Sequence, residues 1–161
     1  MTQELQEGDL APDFHLPTWT QNEQQELSLS SFKGKLVVLY FYPRDDTPGC
    51  TVEACSFRDS LASIEETGAT VIGISRDTLK SHQKFADKFS LQFPLLADTN
   101  ADVAKAYGCW SEKSMYGKKY MGVDRATFLI DGEGYIRKIW RKVTPQDHAA
   151  DVLKAILKLE S

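Results

Sequence analysis

Cys50 is the residue of this chain best placed to become a nucleophile. It follows Thr47, Pro48 and Gly49. Threonine caps helices, and proline suits a first helical turn, where its missing N–H would find no partner anyway. The order predicts a helix opening near residue 48 with Cys50 in its first turn. Unpaired backbone N–H groups and the positive end of the helix dipole meet there, and both favour an anion. The thiolate is that anion, and it is the form of cysteine that attacks. The competing reading is a small buried hydrophobe, and a lone cysteine does not decide between the two. Arg125 adds a second unusual placement. It begins a predicted buried strand, where a cation needs a partner. Glu53, one turn into the helix, could tie that arginine down or cap the helix start.

The elements that must position these residues are legible on either side. Lys35–Tyr42 is a β-branched and aromatic run long enough for one buried strand, and Pro43, Pro48 and Gly49 break the chain after it. Phe57, Leu61 and Ile64 then recur at helical spacing. Gly68 stops that helix, and Ala69–Ser75 reads as a second buried strand. Asp77 or Thr78 caps a helix through Phe89, with Phe85 and Phe89 on one face. Phe93–Ala97 is a short strand, followed by a helix over Ala101–Tyr107 that ends at Gly108. Before all this, Gly8–Pro17 is extended, with prolines that suit an edge strand, and pairs with Glu26–Leu29 across a Thr20–Gln25 turn. Ser111–Gly122 reads as a polar loop. Ala126–Asp131 and Tyr135–Trp140 form a hairpin through Gly132-Glu-Gly134. Thr144–Asp147 is a capping box opening a last helix whose Val152, Ile156 and Leu159 face inward. The pattern predicts an α/β fold: a central mixed sheet flanked by helices on both faces, with an N-terminal β-hairpin.

With 161 residues, the chain reads as a single domain, 1–161, able to bury a core without disulfides or metal. A net charge of -4 and the lack of any basic block argue against nucleic acid. No apolar run reaches the ~18–20 residues that span a bilayer, and the first residues lack a secretory pattern. A cytoplasmic setting is expected, where cysteines are catalytic or redox-active more often than structural. His15, His82 and His148 show no ligand spacing and read as surface residues, so neither a metal site nor a Cys–His pair is expected.

Pro43-x-x-x-Thr47-x-x-Cys50 resembles the active-site signature of the peroxiredoxins, thiol peroxidases on a thioredoxin-like fold. The longer string Thr47-Pro-Gly-Cys-Thr-x-x-x-Cys55 is similar to their bacterioferritin comigratory protein (peroxiredoxin Q) branch. Residues 8–18, the Arg125–Asp131 segment and the order of elements match too. The resemblance implies that Cys50 is the peroxidatic cysteine, with Pro43 shielding the pocket and Thr47 directing its hydroxyl at sulfur and peroxide. Arg125 would be the active-site arginine, its planar fork reaching thiolate and substrate together. The resemblance makes Cys55 the resolving cysteine, because its five-residue step from Cys50 matches one of the family's two arrangements; the other, with the second cysteine on the next helix, is absent, as no Cys lies between Cys55 and Cys109. Cys109 has no place in the pattern and reads as a buried bystander. The substrates implied are hydrogen peroxide and organic hydroperoxides, and the recycling partner is thioredoxin or a similar dithiol. No cofactor is implied, and the expected assembly is a monomer.

Two rivals accompany this reading. A thioredoxin-like disulfide reductase would carry Cys-x-x-Cys, a shorter spacing than this one. A peroxide sensor or holdase would pass its disulfide to a partner instead of turning over. The spacing itself carries one more expectation. On one helix, residues five apart are displaced by ~7.5 Å and rotated by ~140° net, which puts their Cα atoms roughly 8–9 Å apart. A disulfide needs ~7 Å or less, so the helix start must unwind before Cys50 and Cys55 can bond.

Overall fold

In the computed structural model, which describes residues 5–20 and 23–160, the elements follow one another as β1 (His15–Thr20), β2 (Glu23–Ser28), a short 3-10 helix (Leu29–Phe32), β3 (Leu36–Phe41), α1 (Pro48–Glu66), β4 (Ala69–Ser75), α2 (Leu79–Phe89), β5 (Leu95–Ala97), α3 (Asp102–Ala106), β6 (Trp110–Met115), β7 (Lys118–Val123), β8 (Ala126–Ile130), β9 (Ile136–Trp140) and α4 (His148–Glu160). Seven strands form a mixed sheet in the order β2-β1-β5-β4-β3-β8-β9. β3, β4 and β5 run parallel, which requires crossovers, and α1 and α2 supply them. β8 returns antiparallel to β3.

β3 is buried on both faces, which is why its sequence is continuously apolar and does not alternate. Val37, Leu39 and Phe41 enter one core with Phe14, Tyr107 and Phe128. Val38, Tyr40 and Tyr42 enter the other with Phe57, Ile64, Phe85, Val152 and Ile156. α1, α2 and α4 line this second core, while α3 and the extended segment before β1 line the first. No helix among the described residues is long and apolar enough to cross a membrane.

The structure departs from the sequence reading in four places. Ser111–Gly122 is a two-stranded hairpin of β6 and β7, with Tyr116 and Gly117 at φ of 52° and 77°, as a two-residue turn requires. Its side chains are mostly exposed, so no apolar alternation marks it. β2 forms the sheet edge and the proline-bearing β1 lies inside it, pairing with β5 at Thr18 and Leu96. The Thr20–Gln25 turn includes residues 21 and 22, which lie outside the described residues. The Thr144–Asp147 box forms a turn, Asp147 N–H donating to the Thr144 carbonyl, and α4 begins after it at His148. Leu159 is exposed, and the inward stripe of α4 is His148, Ala149, Val152 and Ile156.

Candidate active site

The pairing of β3 with β8 builds the site. Phe41 lies opposite Ala126, so the chain leaving β3 toward α1 runs beside the residue that precedes β8. That residue is Arg125. Its Nη2 donates to Cys50 Sγ at 3.3 Å and its Nη1 to Glu53 Oε1 at 2.6 Å. The fork therefore spans the first turn and a half of α1 from the side. A Cβ at Gly49 would stand 3.1 Å from Nη2, so a glycine here leaves the guanidinium room to close on the helix start.

Cys50 and Glu53 belong to the buried face of α1, with Ala54, Phe57, Leu61 and Ile64. Burial pushes the Glu53 carboxyl up to about 7, against the pull of Arg125's charge and hydrogen bond. Glu53 Oε2 and the Tyr40 hydroxyl are buried without a hydrogen-bond partner among the described residues. Burial first, then the charges of Glu53 and Cys50, push the Tyr40 phenol well above its usual range.

Thr47 stands at the N-cap of α1 in extended conformation, but its hydroxyl does not cap the helix. It donates back to the Arg44 carbonyl at 3.0 Å, leaving the oxygen's acceptor capacity unused by that bond. Pro43 follows β3 and is exposed. Cys55 is half-buried on the same helix as Cys50, and Cys109 is buried near the Tyr107 carbonyl. No disulfide links the three cysteines. The structure thus gathers Cys50, Glu53 and Arg125, with Thr47 one turn before the sulfur.

Two histidines contradict the surface reading. His82 and His148 are each 1% exposed. His82 Nδ1 lies 2.7 Å from Asp45 Oδ2, and its Nε2 lies 3.0 Å from the Leu96 carbonyl oxygen. His148 Nε2 is 2.6 Å from Thr127 Oγ1, its ring set edge-on to Phe57 and Trp140, and burial pushes its pKa down to about 4. Helical spacing was the available signal. His82 precedes Phe85 and Phe89 by three and seven residues, and His148 precedes Val152 and Ile156 by four and eight. Asp45, in the active-site loop, was also missed. It, Asp77 and His82 bring ligand-type atoms within 4.8 Å, but hydrogen bonds already join them to one another.

The profile of the AhpC/TSA family matches residues 8–139. The chain belongs to this family. Within it, the chain is 49% identical over 149 residues to a putative peroxiredoxin Bcp of Coxiella burnetii, covering 92% of this chain and 97% of that one. It is 48% identical to peroxiredoxin Bcp of Bacillus subtilis over the same length, 92% and 93% of the two chains. Among solved structures, a bacterioferritin comigratory protein of Xanthomonas campestris, studied in trapped intermediate and ligand complexes for its alkyl peroxide reduction, superposes with a TM-score of 0.87 at 36% identity, covering 100% of this chain and 99% of that one. A peroxiredoxin Q mutant of Xylella fastidiosa gives 0.89 at 35% identity, with 99% and 100% covered. The peroxiredoxin signature at Pro43, Thr47 and Cys50 thus lies where β3 gives way to α1 in a peroxiredoxin fold.

Proposed function

We propose that Cys50 is the peroxidatic sulfur of this thiol-dependent peroxidase. The observation that carries the assignment is Arg125, whose one guanidinium donates to both Cys50 Sγ and Glu53. In the first step the Cys50 thiolate attacks the terminal oxygen of a hydroperoxide. The O–O bond breaks, the alkoxide or hydroxide leaves with its electron pair and takes a proton, and sulfur becomes sulfenic acid. Arg125 holds the attacking sulfur and stabilises charge on the breaking bond, as an oriented donor does in a water-poor site. Thr47's hydroxyl aligns the peroxide, and Pro43 limits water at the mouth.

The Cys55 thiolate then attacks the sulfenic sulfur, hydroxide leaves as water, and an intramolecular disulfide forms. A dithiol donor of the thioredoxin type reduces it by exchange, and the working unit is a monomer. Hydrogen peroxide and organic hydroperoxides are the substrates. Stopped-flow peroxide reduction tests each role. Cys50→Ser is expected to abolish consumption. Cys55→Ser should keep a fast first turnover, lose thioredoxin-driven cycling and over-oxidise at Cys50. Normal cycling by Cys55→Ser would transfer the resolving role to Cys109 or a second chain.

A further inference from the structure

The loop from β3 to α1 carries Pro43 and Thr47, yet Asp45 is what fastens it. Asp45 is 8% exposed. Its Oδ1 accepts from the Tyr42 hydroxyl at 2.6 Å, and its Oδ2 accepts from the Ser81 hydroxyl at 2.8 Å and faces His82 Nδ1. Its backbone N–H donates to Asp77 Oδ2 at 2.8 Å, and the same oxygen accepts from the Ser75 hydroxyl at 2.6 Å. His82 faces acceptors at both ring nitrogens, Asp45 and the Leu96 carbonyl. The ring thus bridges the loop carboxylate to β5, with the Tyr42 hydroxyl also 3.5 Å from Nδ1. Asp46, at φ 55°, adds an exposed contact to Lys88 of α2 at 2.9 Å.

These anchors lie just past the end of β3, on β4, in the turn after it, and on α2. None lies on α1. Unwinding the start of α1 would therefore break the Arg125 contacts without breaking a single bond to Asp45. We propose that Asp45 and His82 form a positioning clamp that sets the upstream limit of this unwinding at Thr47. The proposal rests on the Cys50–Cys55 reading above. While the helix start melts to form the disulfide, the clamped loop keeps Pro43 and Thr47 in place as the surface on which the helix rewinds. A weaker clamp lets disorder spread upstream and shifts the population from the folded pocket to the unwound form. The folded form reacts with peroxide and the unwound form makes the disulfide, so the two steps respond in opposite directions.

That opposition is the test. Stopped-flow measurements on the full chain would follow peroxide reduction and, separately, disulfide formation from the sulfenate. His82→Gln, whose amide cannot bridge Asp45 and the Leu96 carbonyl as the ring does, is expected to slow the first step roughly tenfold and to speed the second severalfold, the size of a tenfold fall in the folded population. Amide exchange at residues 44–47 should quicken in parallel. Ser81→Ala removes one hydroxyl donor from a half-buried position and should shift both steps the same way by a smaller factor. Should His82→Gln fail to fold, Ser81→Ala decides. Unchanged rates in both steps, or a loss in both together, would overturn the clamp. A wild type that consumes no peroxide would instead overturn the functional reading.

Discussion

At the scale of the residue, the site depends on a planar fork. Arg125 reaches Cys50 and Glu53 with two different nitrogens, which a lysine ammonium, a compact point charge, does not reproduce. Arg125→Lys is expected to slow peroxide reduction by roughly 10²-fold, the scale of losing one oriented donor, and to move the rate–pH profile upward. A folded variant with unchanged rate and profile would make Arg125 structural. Gly49→Ala asks the same question without touching a charge. Its methyl would meet Nη2 at 3.1 Å, so the guanidinium must yield by a fraction of an ångström, and roughly a tenfold loss is expected for misplacement on that scale. The contact between Arg125 and Cys50 was legible because motif and strand placement single out both residues without three-dimensional context. Gly49's fit against Arg125 was not, because it depends on a neighbour in space 75 residues past the cysteine.

At the scale of the element, α1 carries both cysteines and holds them apart. Cys50 and Cys55 sit on one continuous helix, so helical geometry holds their Cα atoms roughly 8–9 Å apart, beyond the ~7 Å a disulfide allows. Opening the first turns must expose Cys50 and release both Arg125 bonds. Amide exchange on reduced and oxidised protein is expected to show protection lost over residues 48–55 in the disulfide form. Residues 50–55 still helical and equally protected would sink the idea. The elements that frame this helix were read well for a physical reason. β3 and β4 are buried on both faces and announce themselves as apolar runs, whereas the β6–β7 hairpin buries little and leaves no pattern to read. His82 and His148 were misread because residue type was given more weight than their place on an apolar stripe.

At the scale of the whole molecule, two buried ionisable groups set opposing pH responses. His148 has its pKa pushed from 6.5 to about 4 by burial. The unfolded chain therefore takes up this proton first, and His148's contribution to stability, complete above 6.5, is lost as pH falls toward 4. Glu53 is pushed the other way, from 4.5 to about 7, also by burial. Here the folded state keeps its proton longer, so stability falls as pH rises from 4.5 to 7. Between 4.5 and 6.5 the two slopes nearly cancel, and each group alone carries on the order of 3 kcal/mol over its window. Burial leads both shifts. His148→Gln retains an amide that can meet the Thr127 hydroxyl but removes the titration. Urea unfolding between pH 4 and 8 should then show stability falling steadily from pH 4.5 to 7, where the wild type stays nearly flat up to 6.5. Parallel curves for the two proteins would mean that His148 is protonated alike in the folded and unfolded chain, and the assigned burial effect would be wrong.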